Sequence, residues 1–279
     1  MNYDSRNEII AVLKERGLSP TKRFGQNFMI SGAAREKVLG FVKIAPGDHV
    51  WEIGGGLGAM TSMALEKIGT DGHLTVFEID RGYIAFLNEQ FSAHPGFRII
   101  EGDMVKTWKS LFAETGRPDV IFGNLPYNSA SAMISSLIEN DCLAPRMVFT
   151  VQREMGKRIT AVPGSSDYSS FSVLCQLACH VRYEGDLKSG SFYPVPEVVS
   201  GIVTFSPKYE FMKIANRSEI LKIIRELFAS RRKTILNNLR HYGIEKVQNA
   251  CEALGINFSS RGETLPPETI LELAEKLLS

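Results

Sequence analysis

Five short apolar runs, each ending at a polar or glycine-rich corner and each followed by a stretch of helical spacing, occupy residues 49–153 and leave the chain few folds to adopt. The runs are HVWEIG, HLTVFEID, FRIIEGD, DVIFGNLPY and MVFTVQ. They are rich in Val, Ile and Phe and barely alternate with polar residues, which is the pattern of strands buried on both faces by helices. Strand followed by helix, repeated, predicts a parallel, doubly wound sheet in a three-layer, Rossmann-like α/β sandwich. A later run, EVVSGIVTFSP, reads as a further strand that closes at Pro207. From about Asn216 the pattern changes to helices alone. SEILKIIRELFASRRKTILNNLRHYG and PPETILELAEKLL repeat apolar residues at i, i+3, i+4 and i+7, and Pro266 and Pro267 mark a helix start. The expected division is an α/β domain over 1–207 and a smaller all-helical C-terminal domain over 208–279.

A length of 279 residues suits one large core with a smaller appended unit. The balance of 44% hydrophobic to 23% charged residues is that of an ordinary globular protein and excludes a disordered or fibrous chain. The N-terminal MNYDSRNEIIAVLKERG lacks the apolar run of a signal peptide or membrane span, so a cytoplasmic protein is expected; a monomer is a separate expectation. Cys142, Cys175, Cys179 and Cys251 have no zinc-knuckle spacing and do not cluster with His, which predicts reduced thiols and no metal site. A net charge of +1 leaves polyanion binding to local clusters. Two exist. Lys222, Arg225, Arg231, Arg232, Lys233 and Arg240 face one acid, Glu226, and Lys14, Arg16, Lys22 and Arg23 form the other. Both suit phosphate contacts; a solvated helix face is the plain alternative.

In VWEIGGGLGAM an apolar strand turns through Gly54, Gly55, Gly56 and Gly58 into a helix, and glycines there let backbone approach a ligand. Gly54, Gly56 and Ala59 also fit a dinucleotide pattern. Glu52 argues against that, because a carboxylate would repel a pyrophosphate and attract a cationic ammonium or sulfonium. The expected ligand is therefore S-adenosyl-L-methionine. Glu78, ending the second strand, is placed to accept ribose hydroxyls; a solvated strand-end carboxylate is the plain alternative. Asp103, at the end of the third strand, is either an acceptor for an adenine amine or a helix N-cap.

The fourth strand runs into GNLPYN. An adenine amine is a poor nucleophile because its lone pair is delocalised into the ring, so an enzyme methylating it must accept its hydrogens as charge develops. Asn124 offers a side-chain carbonyl. Leu125, followed by Pro126, offers a backbone carbonyl whose direction the proline ring fixes. Tyr127 offers a flat face for an extruded base. A β-turn is the alternative reading of the tetrapeptide alone.

Together these segments resemble the ribosomal RNA adenine dimethyltransferase family, whose bacterial members are known as kasugamycin-sensitivity proteins. KRFGQNF (22–28), EIGGGLG, FEID, GNLPYN, QREM (152–155), FYPVPEVVSGIV (192–203) and FASRRKTILNN (228–238) carry the resemblance nearly end to end. It implies a methyltransferase that binds S-adenosyl-L-methionine and, during small-subunit biogenesis, dimethylates two adjacent adenines in the 3′-terminal hairpin loop of 16S ribosomal RNA. It implies that Asn27 and the Met29 backbone contact the methionine part of the cofactor, Gly54 its carboxylate region, Glu78 the ribose and Asp103 the adenine. Asn124 is then the methyl-transfer site, Phe171 lies near the target base, and the helical domain docks RNA. Gly55 stands where the family usually has Pro, and Met29 where Leu is usual. The rival readings are a large-subunit RNA methyltransferase, a non-catalytic RNA-binding assembly or transcription factor of the same fold, and a nicotinamide oxidoreductase.

Overall fold

The computed structural model describes residues 1–20 and 26–279, and the chain divides into two compact units: Met1–Gly156 with Arg182–Pro207, and Lys157–Val181 with Lys208–Ser279. The sequence expectation drew this division differently, since residues 157–181 belong to the second unit.

The first unit is built on strands β1 (His49–Ile53), β2 (His73–Glu78), β3 (Phe97–Glu101), β4 (Val120–Asn124), β5 (Arg146–Gln152), β6 (Cys179–Leu187, whose first three residues belong to the second unit) and β7 (Ser200–Pro207). Their order in the sheet is β3-β2-β1-β4-β5-β7-β6. Strands β1 to β5 pair in parallel, with Val50 opposite both Leu74 and Val120, whereas β7 runs antiparallel to β5 with Ser200 opposite Gln152. The order reverses between β1 and β4, the place where doubly wound sheets bind ligands beyond their strand ends.

Helices α1 (Arg6–Glu15), α2 (Gly32–Val42), α3 (Ala59–Ile68), α4 (Arg81–Phe91), α5 (Met104–Thr115) and α6 (Ala130–Glu139) flank the sheet. Val38 and Val42 of α2 and Ala64 and Ile68 of α3 pack with Val50, Val76, Val120, Phe122 and Val148 in one dry core. Fully burying each such side chain stabilises the fold by roughly 1.5–3 kcal/mol, so this face outweighs any single polar contact. A second cluster seats α1 through Ile9 and Leu13 against Phe28, Leu57, Tyr83 and Phe86. Phe28–Met29 pairs antiparallel with Phe192–Tyr193, tying the segment before α2 to the segment before β7.

Helix α7 (Arg153–Ile159) follows β5 and enters the second unit, which is otherwise formed by α8 (Ser170–Ala178), α9 (Tyr209–Met212), α10 (Arg217–Leu227), α11 (Ile235–Leu239), α12 (Ile244–Ala253) and α13 (Pro267–Leu278). Pro267 opens α13 at its first turn, where a missing N–H costs nothing. Ile220, Ile224 and Leu227 of α10 are buried, as are Ile270, Leu273 and Leu277 of α13. The segment read as one long helical pattern is interrupted after Leu227. Asn238 Nδ2 bonds the carbonyls of Leu227 and Ser230, and Thr234 caps α11, so Arg231, Arg232 and Lys233 lie in a turn.

All four cysteines are buried free thiols. Among the described residues, no helix is long and apolar enough to cross a membrane and no group of three or more His, Cys, Asp or Glu is placed to hold a metal.

Candidate active site

The C-terminal ends of β1, β2 and β4 open onto a cleft of about 250 Å³. Asn27, Gly54, Gly56, Glu78, Asp103, Asn124 and Pro126 all line it, so the structure brings together most of the residues singled out by sequence. Its floor is the glycine turn. Gly54 and Gly56 have φ of 81° and 54°, and a Cβ on Gly56 would lie 3.0 Å from the Phe28 ring, so both conformation and space select glycine. Gly55 is fixed by packing instead. A Cβ there would sit 2.6 Å from Val76 Cγ1 and 2.9 Å from Leu87 Cδ1.

Glu78 is almost fully buried and shapes the same turn. Its Oε2 accepts the Gly56 N–H at 2.9 Å, and its Oε1 accepts the N–H groups of Ile79 and Asp80 at 2.9 and 3.0 Å. Burial raises its pKa, and the three backbone donors oppose that rise. With one bond to Oε2 and two to Oε1, the carboxylate keeps acceptor capacity, chiefly on Oε2. Asp103 is the helix N-cap that its sequence offered, and it also lines the cleft. Oδ1 caps α5 through the Val105 N–H at 3.0 Å while the residue lines the cleft.

Asn124 ends β4. Its Nδ2 donates to the Asn27 carbonyl at 2.7 Å, which leaves the amide oxygen as the acceptor it can present to a substrate. Leu125 is buried and its N–H donates to Thr150 O, while the Pro126 carbonyl accepts the N–H groups of Ser129 and Ala130 at the start of α6. The backbone carbonyl whose direction the proline fixes is thus that of Leu125. Tyr127 Oη bonds Ser200 Oγ at 2.8 Å.

Other expected site residues are placed elsewhere. Met29 is buried in the core with its carbonyl bonded to Arg35 Nη1 at 3.0 Å, and it does not line the cleft. Phe171 is half-buried in α8 of the second unit. Lys22 and Arg23 lie outside the described residues. Arg231 is committed to a clasp. Its Nε pairs with Glu263 at 2.6 Å, Nη2 donates to Ser165 O at 3.1 Å, and Nη1 donates to Ser166 O. Arg232 and Lys233 are exposed.

The reasoning from Glu52 is corrected by the structure. Glu52 is fully buried, accepts the Thr61 hydroxyl at 2.7 Å and does not line the cleft; burial pushes its pKa up to about 8. A largely protonated carboxyl beneath the floor neither repels a pyrophosphate nor attracts a cation, so the acids that face a ligand are Glu78 and Asp103. Sequence reasoning also missed the apolar walls, Phe28, Ile79, Met104 and Met133. An available signal was Ile79, an apolar residue immediately after the strand-end acid and 44% exposed.

A family model for ribosomal RNA adenine dimethylases matches residues 18–278. The chain belongs to the ribosomal RNA adenine dimethylase family. Among curated relatives, the ribosomal RNA small subunit methyltransferase A of Treponema denticola is 42% identical, over 98% of this chain and 95% of that one. The protein of the same name from Borreliella burgdorferi is 39% identical over 99% of this chain and 95% of its own length. Among solved structures, a dimethyladenosine transferase from Plasmodium falciparum is 25% identical with a TM-score of 0.71, covering 87% of this chain and 94% of that one. The 23S rRNA methyltransferase ErmE, 21% identical with a TM-score of 0.64 over 90% of this chain and all of its own, shares the fold. Of the residues that the family resemblance singles out, Asn27, Gly54, Gly56, Glu78, Asp103, Asn124 and Pro126 line the cleft.

Proposed function

We propose that this chain is an S-adenosyl-L-methionine-dependent methyltransferase that dimethylates N6 of two adjacent adenines in the 3′-terminal hairpin loop of 16S ribosomal RNA within a maturing small subunit, acting as a monomer. The observation that carries the reading is the Asn124 amide, held by the Asn27 carbonyl at the mouth of a cleft lined by Glu78 and Asp103. The small-subunit assignment is supported by relatives of nearly full length that bear that name. The likeness to a 23S rRNA methyltransferase carries fold alone and does not favour a large-subunit substrate.

The residues present fit this cofactor. Glu78 keeps a carboxylate lone pair for a ribose hydroxyl, Asp103 has an oxygen beyond its capping bond, and Gly54 and Gly56 line the cleft as bare backbone, with a Cβ at Gly56 excluded by the Phe28 ring. The Asn27 segment holds the methionine end. When bound, the cofactor supplies an electrophilic methyl group on a sulfonium. The chain's own contribution is to make the adenine amine reactive. Asn124 Oδ1 and the Leu125 carbonyl accept the two amine hydrogens, favouring a pyramidal nitrogen whose lone pair is no longer shared with the ring. The Tyr127 ring stacks the extruded base, and the proton leaves to water after transfer, so no side chain with a tuned pKa is required. The helical unit docks the RNA through Arg232 and Lys233, with Lys22 and Arg23 adding phosphate contacts.

Mass spectrometry of 16S RNA from a strain lacking the protein, complemented with wild type or Asn124→Ala, tests this. Dimethyladenosine should vanish in the deletion, return with wild type and stay absent with Asn124→Ala; its persistence in the deletion strain would refute the proposal.

A further inference from the structure

Arg35 is a cation where α2 otherwise buries apolar side chains. It is 5% exposed, on a helix whose other buried residues are Ala34, Val38, Leu39 and Val42. Its Nη1 donates to Met29 O at 3.0 Å, and its Nη2 pairs with Asp4 Oδ1 at 2.9 Å. The Tyr3 ring lies 5.8 Å away, and among the described residues the buried Nε–H has no acceptor. Burying a guanidinium with an unmet donor is unfavourable, and a methionine would fill the same space without that cost. The benefit lies in what the guanidinium holds.

The Met29 carbonyl belongs to a segment anchored on three sides. Phe28–Met29 pairs with Phe192–Tyr193, and Ile30 N–H donates to Ser191 O at 2.8 Å. The Phe28 ring lies against Gly56. The remaining side is Arg35. One residue before Phe28, the Asn27 carbonyl receives the Asn124 amide. An asparagine amide is nearly symmetric in shape, and only its neighbours decide which end faces a substrate. An acceptor at Asn27 O compels Nδ2 to face it, and Oδ1 then faces the other way.

We infer that Arg35 is a positioning residue for methyl transfer: it fixes the Asn27–Met29 backbone so that the Asn27 carbonyl orients the Asn124 amide with its oxygen toward the substrate amine. This rests on the proposed function for what Asn124 does, but not for how Asn124 is held.

The test uses the full chain with Arg35→Met and Arg35→Lys. The Asn124 side-chain amide is followed by 15N NMR, assigned by its loss in Asn124→Ala, beside steady-state methylation of RNA and cofactor calorimetry. Arg35→Met should shift that resonance and hasten its hydrogen exchange. It should lower kcat about 10- to 100-fold, as a small misplacement of a reacting group does, and weaken cofactor binding by a smaller factor, since the Asn27 segment also meets the methionine end; a kcat loss larger than the Kd loss is a split that general loosening would not produce. Arg35→Lys, which can still reach Met29 O, should recover part of kcat. An unmoved Asn124 resonance, or an unchanged kcat in folded Arg35→Met, overturns the inference. Failure of the wild type to methylate RNA would instead sink the proposed function, while the amide comparison would still decide whether Arg35 orients Asn124.

Discussion

Tyr127 Oη and Ser200 Oγ lie 2.8 Å apart, and through that bond the tyrosine three residues after Asn124, the asparagine proposed for methyl transfer, is tethered to β7. Ser200 is fully buried opposite Gln152 in the β5–β7 ladder, so it is as fixed as the sheet itself. The bond therefore fixes where the tip of the ring lies. Tyr127→Phe and Ser200→Ala should each slow methylation by roughly fivefold, the equivalent of about one hydrogen bond of 1 kcal/mol. The double variant should be no slower than either single one. Additive losses in that cycle would mean that the two hydroxyls act independently.

Glu78→Ala removes both a ligand acceptor and the carboxylate that holds the Gly56 N–H. Affinity for the cofactor product, S-adenosylhomocysteine, should fall by at least about 100-fold, since a bond to a charged acceptor is worth roughly 1.5–3 kcal/mol and two hydroxyls are at stake. Calorimetry reads this directly, and an unaltered Kd would remove Glu78 from the ribose site.

Glu52 makes stability pH-dependent, and the sign follows from its raised pKa. The folded state holds a proton that the unfolded chain has lost between about pH 4.5 and 8, so stability declines as pH rises through that window and levels off above it. From a shift of that size the decline attributable to Glu52 is on the order of 5 kcal/mol. Urea unfolding at pH 5 and pH 8 should show a smaller difference in Glu52→Gln than in wild type. Equal differences would mean that Glu52 ionises normally.

The basic run in the second unit should separate into two behaviours. Arg232→Ala with Lys233→Ala should flatten the dependence of log K on log salt for RNA binding by up to about 1.4–1.8 if each neutralises one phosphate. Arg231→Ala should leave that slope nearly unchanged and instead lower the melting temperature, because its partners are Glu263 and the carbonyls of Ser165 and Ser166. An equal slope change from Arg231→Ala alone would show that it leaves its clasp to bind RNA.

The parallel core was legible because its strands carry unbroken Val, Ile and Phe, and the cleft because glycine, acid and asparagine each fall at a strand end. Strand β6, with CHVRYEGDL, was not, since it lies at the sheet edge and most of its residues remain partly solvated. Glu52 misled because its spacing from the glycines is visible in sequence while its burial beneath them is not. The clasp around Arg231 was hidden for a related reason. The acid that pairs with it, Glu263, is 32 positions away, and helical periodicity does not register the Thr234 cap that places RRK in a turn. Arg35 carried no motif, and its importance emerges only from the carbonyl it meets.

The pairing of Phe28–Met29 with Phe192–Tyr193 has a consequence in time as well as in space. A ribosome making this chain releases the glycine turn, Glu78 and Asn124 well before it has polymerised the partner of the Asn27 segment. Until Phe192 and Tyr193 emerge, the nascent chain holds its asparagine without the fully anchored carbonyl that aims it. Completion of the cleft is therefore among the last local events of the first unit's synthesis, and the N-terminal half alone lacks the strand that pairs with Phe28–Met29.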